Sequence, residues 1–254
     1  MMLNTLDIMQ AVLLIAIGLI AGVINTLAGG GSNLSLPALM MCGLPADVAN
    51  ATNRVGVLLQ SITATKGFYH HKKLEVNSIK NTFWPLLFGG LCGALTASYL
   101  EVTLLKPLLL GTMIAVSLWV VLKSDTDAEQ KREPKSCYAS IGSLLAIFGA
   151  GFYGGFVQAG VGFVLIAAFV GMLDYDLLRA NAMKVVATVI FTSIALLIFV
   201  FRDQVAWLPG LLLGVGSIVG AKVAVQFAVN VKASTLKIMV LIMTIIASVA
   251  ALLT

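Results

Sequence analysis

Two cations stand among amides inside otherwise apolar segments. Asn50, Asn53 and Arg54 are spaced i, i+3 and i+4, which places all three on one face of a helix. Asn181 and Lys184 repeat an amide and a cation at i and i+3 in the second half of the chain. A charge inside a membrane span costs several kcal/mol and usually faces a partner or a watery path. Since neither segment carries an equivalent buried carboxylate, the pattern predicts a site for a small anion.

The same two cations have a second interpretation. Both stand near the predicted starts of their helices, from where a long side chain can extend to the membrane surface with its charge in water. The sequence leaves both interpretations open.

Glycine-rich breaks interrupt the apolar pattern once in each half, at residues 28–33 (AGGGSN) and 158–162 (QAGVG). A membrane helix interrupted in this way is tolerated only where it is buried in protein or lines a wet cavity. The short apolar pieces that follow, 33–42 and 162–173, are predicted half-helices or re-entrant segments. Their N-termini would offer unpaired N–H groups to an anion. The alternative is a tight glycine hinge that serves packing alone.

These features lie in a chain that only a membrane could solvate, because 59% of its 254 residues are hydrophobic and 11% are charged. We expect an all-α membrane protein of about eight transmembrane helices in addition to the two short ones. The predicted spans are 8–27, 47–67, 80–100, 104–122, 138–157, 177–201, 205–227 and 234–253.

Local repeats divide the chain into two related halves. The tripeptide at 49–51 (ANA) recurs at 180–182, and the Gly89/Gly93 pair, which suits close helix contact, recurs as Gly216/Gly220. A polar stretch at 123–135 separates the copies. The predicted units are a first repeat (1–122), a cytoplasmic linker (123–137) and a second repeat (138–254).

Basic residues predict the orientation of these repeats. The 66–80 connection and the 123–135 linker are lysine-rich and should be cytoplasmic, whereas the N-terminus has no Lys or Arg and should be outside. Counting spans from there places the C-terminus outside and inverts the second repeat relative to the first. Inverted repeats are common in alternating-access transporters, whose site lies where the repeats meet.

Other functional classes find little support. Cys42, Cys92 and Cys137 have no metal-like spacing, so we expect no disulfide, metal or cofactor. The net charge of +5 lies in short connections, which argues against nucleic-acid binding. No HExxH or GxSxG motif is present, so an enzyme is not expected. A proton-coupling role for Asp174 or Asp176 stays open.

Several motifs in order resemble the sulfite exporter TauE/SafE family, also called TSUP, over essentially the whole chain. The matching stretches are 21–31 (AGVINTLAGGG), 37–39 (PAL), Gly43, 51–54 (ATNR), 151–156 (GFYGGF) and Lys184. The resemblance implies an integral membrane protein that moves small sulfur-containing or organic anions. Many members carry an acidic residue where this chain has Asn25 and Gly154, so the cavity here should be more positive.

The sequence therefore predicts a transporter that carries sulfite, thiosulfate, a sulfonate or a related organic anion across the cytoplasmic (inner) membrane by alternating access. Its partners would be the lipid bilayer, the anion and, if coupled, a proton or ion. A passive anion channel and a non-transporting scaffold are the alternatives, and the oligomeric state is open. The expected binding residues are Asn25, Gly29, Gly30, Gly31, Ser32, Asn50, Asn53, Arg54, Gln158, Gly160, Gly162, Asn181 and Lys184.

Overall fold

The computed structural model describes residues 7–74, 76–122 and 133–230, in which all regular structure is helical. A 3₁₀ turn, Cys137–Ala139, precedes the sixth helix. The α-helices are α1 (Ile8–Leu27), α2 (Ser32–Met41), α3 (Ala46–His70), α4 (Val76–Tyr99), α5 (Val102–Leu122), α6 (Ile141–Phe156), α7 (Val161–Gly171), α8 (Leu177–Phe201) and α9 (Trp207–Asn230).

Three of these helices, α1, α8 and α9, are long and apolar enough to cross a membrane, by length and composition. The membrane class is therefore confirmed, whereas the expected number of eight spans is met only in part. Helices α3 and α4 are 25 and 24 residues long but more polar, because α3 carries the amide and cation face. The predicted span 234–253 and most of the predicted linker lie outside the described residues.

The two short helices are present where the sequence predicts them, with 10 residues in α2 and 11 in α7. Helix α2 folds back on α1, since Gly31 lies against the carbonyl oxygen of Ala21, more than two helical turns before it in the chain. Leu14 of α1 and Leu39 of α2 belong to one buried apolar cluster. The short helix is thus held inside the bundle.

The connection between α3 and α4 is shorter than the sequence suggested. Residues 66–80 were expected to form a loop, but α3 continues to His70 and α4 begins at Val76, so Lys66 and Lys80 lie on helices. Phe68 is fully buried, and this packing carries α3 past Gly67. Only residues 71–75 therefore lie between α3 and α4.

Glycines lie at the contact between α1 and α9. Gly18 faces the backbone of Leu213, and Gly22 faces that of Ser217. Residue numbers rise together along both helices, so α1 and α9 run parallel. A side chain at either glycine would collide with backbone, so the helices could not approach as closely.

The same arrangement joins α4 to α6. Gly89 faces the backbone of Phe148, and Gly93 faces that of Phe152, again with both numbers rising. The sequence-based interpretation of these pairs as close helix contacts is confirmed. Helix α4 therefore runs parallel to α6, as α1 does to α9.

Candidate functional site

Both glycine-rich breaks end one helix and begin a short one, and the two breaks meet. Gly29 (φ +99°) and Gln158 (φ +65°) have left-handed backbone just after α1 and α6, respectively. The backbone of Gly29 packs directly on that of Gly162, and a Cβ on either would overlap the other's Cα. For these two glycines the packing interpretation holds. We call this contact the crossing of the two broken helices.

Helix α6 ends at this crossing with carbonyl groups that its own backbone cannot satisfy, since the last four C=O groups of a helix have no intrahelical partner. Arg54 supplies the missing donors. Its Nη1 donates to Gly154 O at 2.8 Å, and its Nη2 donates to Gly155 O at 2.6 Å and to Phe156 O at 3.3 Å. A cation at a helix C-terminus is also favoured by the helix dipole.

Helix α1 also ends with carbonyl groups that lack intrahelical partners, and a side chain from α8 caps them. Lys184 Nζ donates to Asn25 O and to Thr26 O, both at 2.9 Å. Lys184 is 1% exposed and Arg54 is 0% exposed, so neither side chain extends to the membrane surface. Each half thus places its buried cation on the broken helix of the other half. The sequence predicted two inward cations but not these carbonyl partners.

Two amide side chains of α3 form hydrogen bonds with residues at both breaks. Asn53 Nδ2 donates to Ser32 Oγ at 3.1 Å, and its Oδ1 accepts from Ser35 Oγ at 2.5 Å. Asn50 Nδ2 donates to Phe156 O at 3.0 Å. Asn53 therefore fixes the first turn of α2, while Asn50 assists Arg54 at the end of α6.

Several buried polar atoms around the crossing have no hydrogen-bond partner among the described residues. They are both carboxamide atoms of Asn181, Arg54 Nε, Asn50 Oδ1, Gln158 Oε1 and Thr26 Oγ1. Buried polar atoms are nearly always hydrogen-bonded, so such a group calls for a specific explanation. No carboxylate in the described ranges forms a salt bridge with either cation; the ion pairs found there are Lys135–Asp174 and Arg179–Asp176. The site is therefore positive and polar.

All thirteen residues expected from the sequence are buried, and contacts link most of them. Gln158 Nε2, for example, donates to Thr192 Oγ1 at 2.7 Å. Asn181 makes no side-chain hydrogen bond within the described part of the chain, although it lies one turn from Lys184 on the same face. Sequence reasoning missed Thr26, Ser35 and Thr192. The capping carbonyls carry no sequence signal, because every residue has a C=O group.

Comparison with known proteins identifies the family of the chain. A family model described as "Sulfite exporter TauE/SafE" matches residues 14–251. The chain is 26% identical to a "Probable membrane transporter protein" of Haemophilus influenzae, over 91% of this chain and 90% of the relative. It is 27% identical to "Probable membrane transporter protein YfcA" of Escherichia coli K12, over 91% and 86%.

A relative from Sinorhizobium, "Probable membrane transporter protein ORF9", is 28% identical over 89% of this chain and 86% of its own length. No solved structure matches the chain. The family and these relatives are membrane transporters and not enzymes. Because the family model covers nearly the whole chain, the protein belongs to the sulfite exporter TauE/SafE family of multi-pass membrane proteins.

Proposed function

We propose that this protein carries a small anion across the cytoplasmic membrane by alternating access, with the anion bound at the crossing of the two broken helices. The observation that carries the proposal is the set of unpartnered buried polar atoms beside two buried cations. Arg54 Nε and Asn181 Nδ2 are donors that an anion would satisfy. An uncompensated positive site buried in a membrane protein is costly, and a bound anion offsets that cost.

Packing directions support an inverted relation between the halves. Helix α1 is parallel to α9. From the short connection of residues 71–75 we infer that α4, the first half's equivalent of α9, runs antiparallel to α3. Gly56 and Gly67 of α3 face Leu213 and Val225 of α9, so α3 is parallel to α9 as well. Equivalent helices of the two halves would then run in opposite directions. The predicted repeats, 1–122 and 138–254 with the linker 123–137, fit this relation.

The proposed substrates are sulfite, thiosulfate, sulfonates and related small organic anions. The family's description as sulfite exporters suggests this class. The donors at the crossing, a guanidinium, an ammonium and carboxamides, suit several oxygens of one oxyanion. We further propose that the protein lies in the inner membrane with both termini outside and the 66–80 and 123–135 regions in the cytoplasm, following the distribution of lysines.

A flux assay in proteoliposomes tests the proposal with labelled sulfite, thiosulfate and methanesulfonate. We expect the wild-type protein to accumulate at least one of these anions against its gradient when a driving gradient is imposed. Equilibration without accumulation would indicate a channel instead. Absence of flux, together with absence of a thermal shift by any of the three anions, would indicate a scaffold and refute the proposal.

Asn181→Leu separates transport from folding. Leucine branches at the same carbon as asparagine but is larger, so the desolvation cost of about 1–3 kcal/mol that it relieves at the unpartnered amide is partly offset by overpacking. The apparent melting temperature in detergent should therefore change by no more than a few degrees. Anion uptake at low substrate should nevertheless fall about tenfold or more, because a hydrogen bond to the anion is lost.

Asn50→Leu is the matched control for that variant. Asn50 holds the equivalent place in the first repeat, but its Nδ2 donates to Phe156 O at 3.0 Å, so leucine should lower the melting temperature. If the Asn181→Leu protein transported the anion at the wild-type rate, the assignment of Asn181 to the proposed site would be wrong.

A further inference from the structure

We propose that Lys184 is the coupling-proton site of this transporter: its amine carries a proton when the anion is bound and gives that proton up when the anion leaves. The inference rests on the proposed anion transport and adds the coupling ion to it. It is carried by how Lys184 is held and by its difference from Arg54.

Within the described residues, Lys184 is held by backbone carbonyls alone. An ammonium has three N–H groups, and Asn25 O and Thr26 O take two of them. No further partner is found for Lys184 among the described residues, so the third N–H can point to an anion. A bound anion would stabilise the protonated form, and its departure would leave a buried charge without a counter-ion. Anion and proton therefore favour each other's binding, which is the thermodynamic requirement for coupling.

Arg54 does the same structural task on α6 but cannot take part in proton exchange. A guanidinium stays protonated in proteins, whereas a lysine amine can lose its proton when it is buried. Of the two cations that hold the broken helices, one is thus fixed and the other can switch. The two repeats therefore differ in whether their buried cation can lose a proton, and proton coupling needs one that can.

Few other ionisable groups face Lys184. Helices α1, α2 and α7 have no ionisable side chain within their bounds. Helix α6 has Tyr153, whose hydroxyl donates to a backbone carbonyl at 2.7 Å, and the buried stretch of α3 has Arg54. The remaining ionisable side chains on α3, α4 and α9 lie near helix ends or at exposed positions, namely Asp47, Lys66, Tyr69, His70, Lys80, Cys92, Tyr99 and Lys222.

The two aspartates for which the sequence left a proton-coupling role open form salt bridges with other residues. Asp174 pairs with Lys135 at 2.6 Å, and Asp176 pairs with Arg179 at 3.2 Å. Among the described residues, the Lys184 amine is therefore our candidate for the exchangeable group at the crossing.

The proton balance of the cycle is simple. On the loading side the amine lone pair takes up a proton and the ammonium binds the anion. After the change of access, the anion leaves and one N–H bond breaks, its electron pair staying on nitrogen while the proton goes to water on the release side. The neutral amine returns with the empty site. One proton thus accompanies each anion, and a monoanion moves without net charge.

Deprotonation would also loosen the contact between the halves. A charge-assisted hydrogen bond is roughly twice as strong as a neutral one. The neutral amine should therefore hold the Asn25 and Thr26 carbonyls less tightly, which links the protonation state to the freedom of α1 to move against α8.

The test measures anion and proton uptake together in proteoliposomes that contain a trapped pH-sensitive dye. Methanesulfonate is the first probe, because it is a monoanion at every working pH and carries no proton of its own; thiosulfate and sulfite follow. Wild-type protein should acidify the lumen with about one proton per methanesulfonate, and a membrane potential should have little effect on the uptake rate.

Lys184→Arg is the decisive variant, because Arg54 shows that an arginine can cap a broken helix in this fold. It should still bind and exchange the anion, with no accompanying proton, and net uptake should become sensitive to membrane potential. If arginine prevents folding, Lys184→Gln tests the same loss of proton movement. Lys222→Arg changes an exposed lysine on α9 and should keep the wild-type ratio.

The outcomes separate the two proposals. Wild-type anion uptake without protons, or unchanged proton uptake in Lys184→Arg, would overturn the coupling role and leave anion transport standing. No wild-type uptake of any of the three anions would refute the proposed function, and this inference with it.

Discussion

Gly29→Ala should prevent stable assembly of the bundle. Gly29 has φ +99°, where a Cβ costs about 1–2 kcal/mol. The new methyl group would also overlap the backbone of Gly162, and overpacking of a dense core adds about 1–3 kcal/mol or more. We expect the apparent melting temperature to fall by on the order of 10 °C, or the protein to be lost from the membrane fraction.

Two other glycines separate the causes of that effect. Gly43 has φ +90°, and a Cβ added there would meet nothing within 4 Å, so Gly43→Ala tests backbone strain alone and should cost only a few degrees. Gly162→Ala tests the overlap without a left-handed backbone and should come close to Gly29→Ala. Equal, small effects at all three positions would mean that the two breaks do not pack on each other.

Arg54→Met should destabilise the protein by about 2–6 kcal/mol, because Gly154 O and Gly155 O would each lose their donor and stay buried. Phe156 O keeps Asn50 as a donor. The side chain would also lose its position 4.9 Å from the centre of the Phe199 ring, worth about 1–2 kcal/mol. Thermal unfolding in detergent measures the effect, expected to be on the order of 10 °C.

Graded controls make that result specific. Arg54→Lys should recover part of the loss, because Lys184 shows that an ammonium can cap two carbonyls of a broken helix. Arg202→Met removes an exposed arginine that lies 4.3 Å from the Tyr99 ring centre and should change the melting temperature little. Wild-type stability in Arg54→Met would mean that the carbonyls of α6 find other donors.

The exchanged caps explain why the two halves should act together. The end of α1 is stabilised by α8, and the end of α6 by α3, so neither break can rearrange without releasing a cation of the other half. A relative movement of the halves therefore has two discrete contacts to break and remake. Under the proposed coupling, Arg54 would keep its charge through such a movement, whereas the Lys184 contact would depend on a proton.

Much of the fold could be predicted from local properties of the chain. Apolar length predicted α1, α8 and α9, and the glycine-rich breaks predicted α2 and α7 nearly to the residue, because glycine and left-handed turns end helices wherever they occur. The predicted length of the 66–80 loop was wrong, because the packing of the buried Phe68 extends α3. Helix ends are set by such contacts as much as by local propensity.

The sequence by itself determined that this is a helical membrane protein with two broken helices and a buried cation in each half, because hydrophobicity, glycine content and charge are properties of single residues. Only the tertiary structure decided what the cations touch. Arg54 reaches a backbone carbonyl 100 residues away and Lys184 one 159 residues away, and a carbonyl is the same at every position of the chain. The structure thus adds a capping role to the two residues that the sequence predicted as anion ligands.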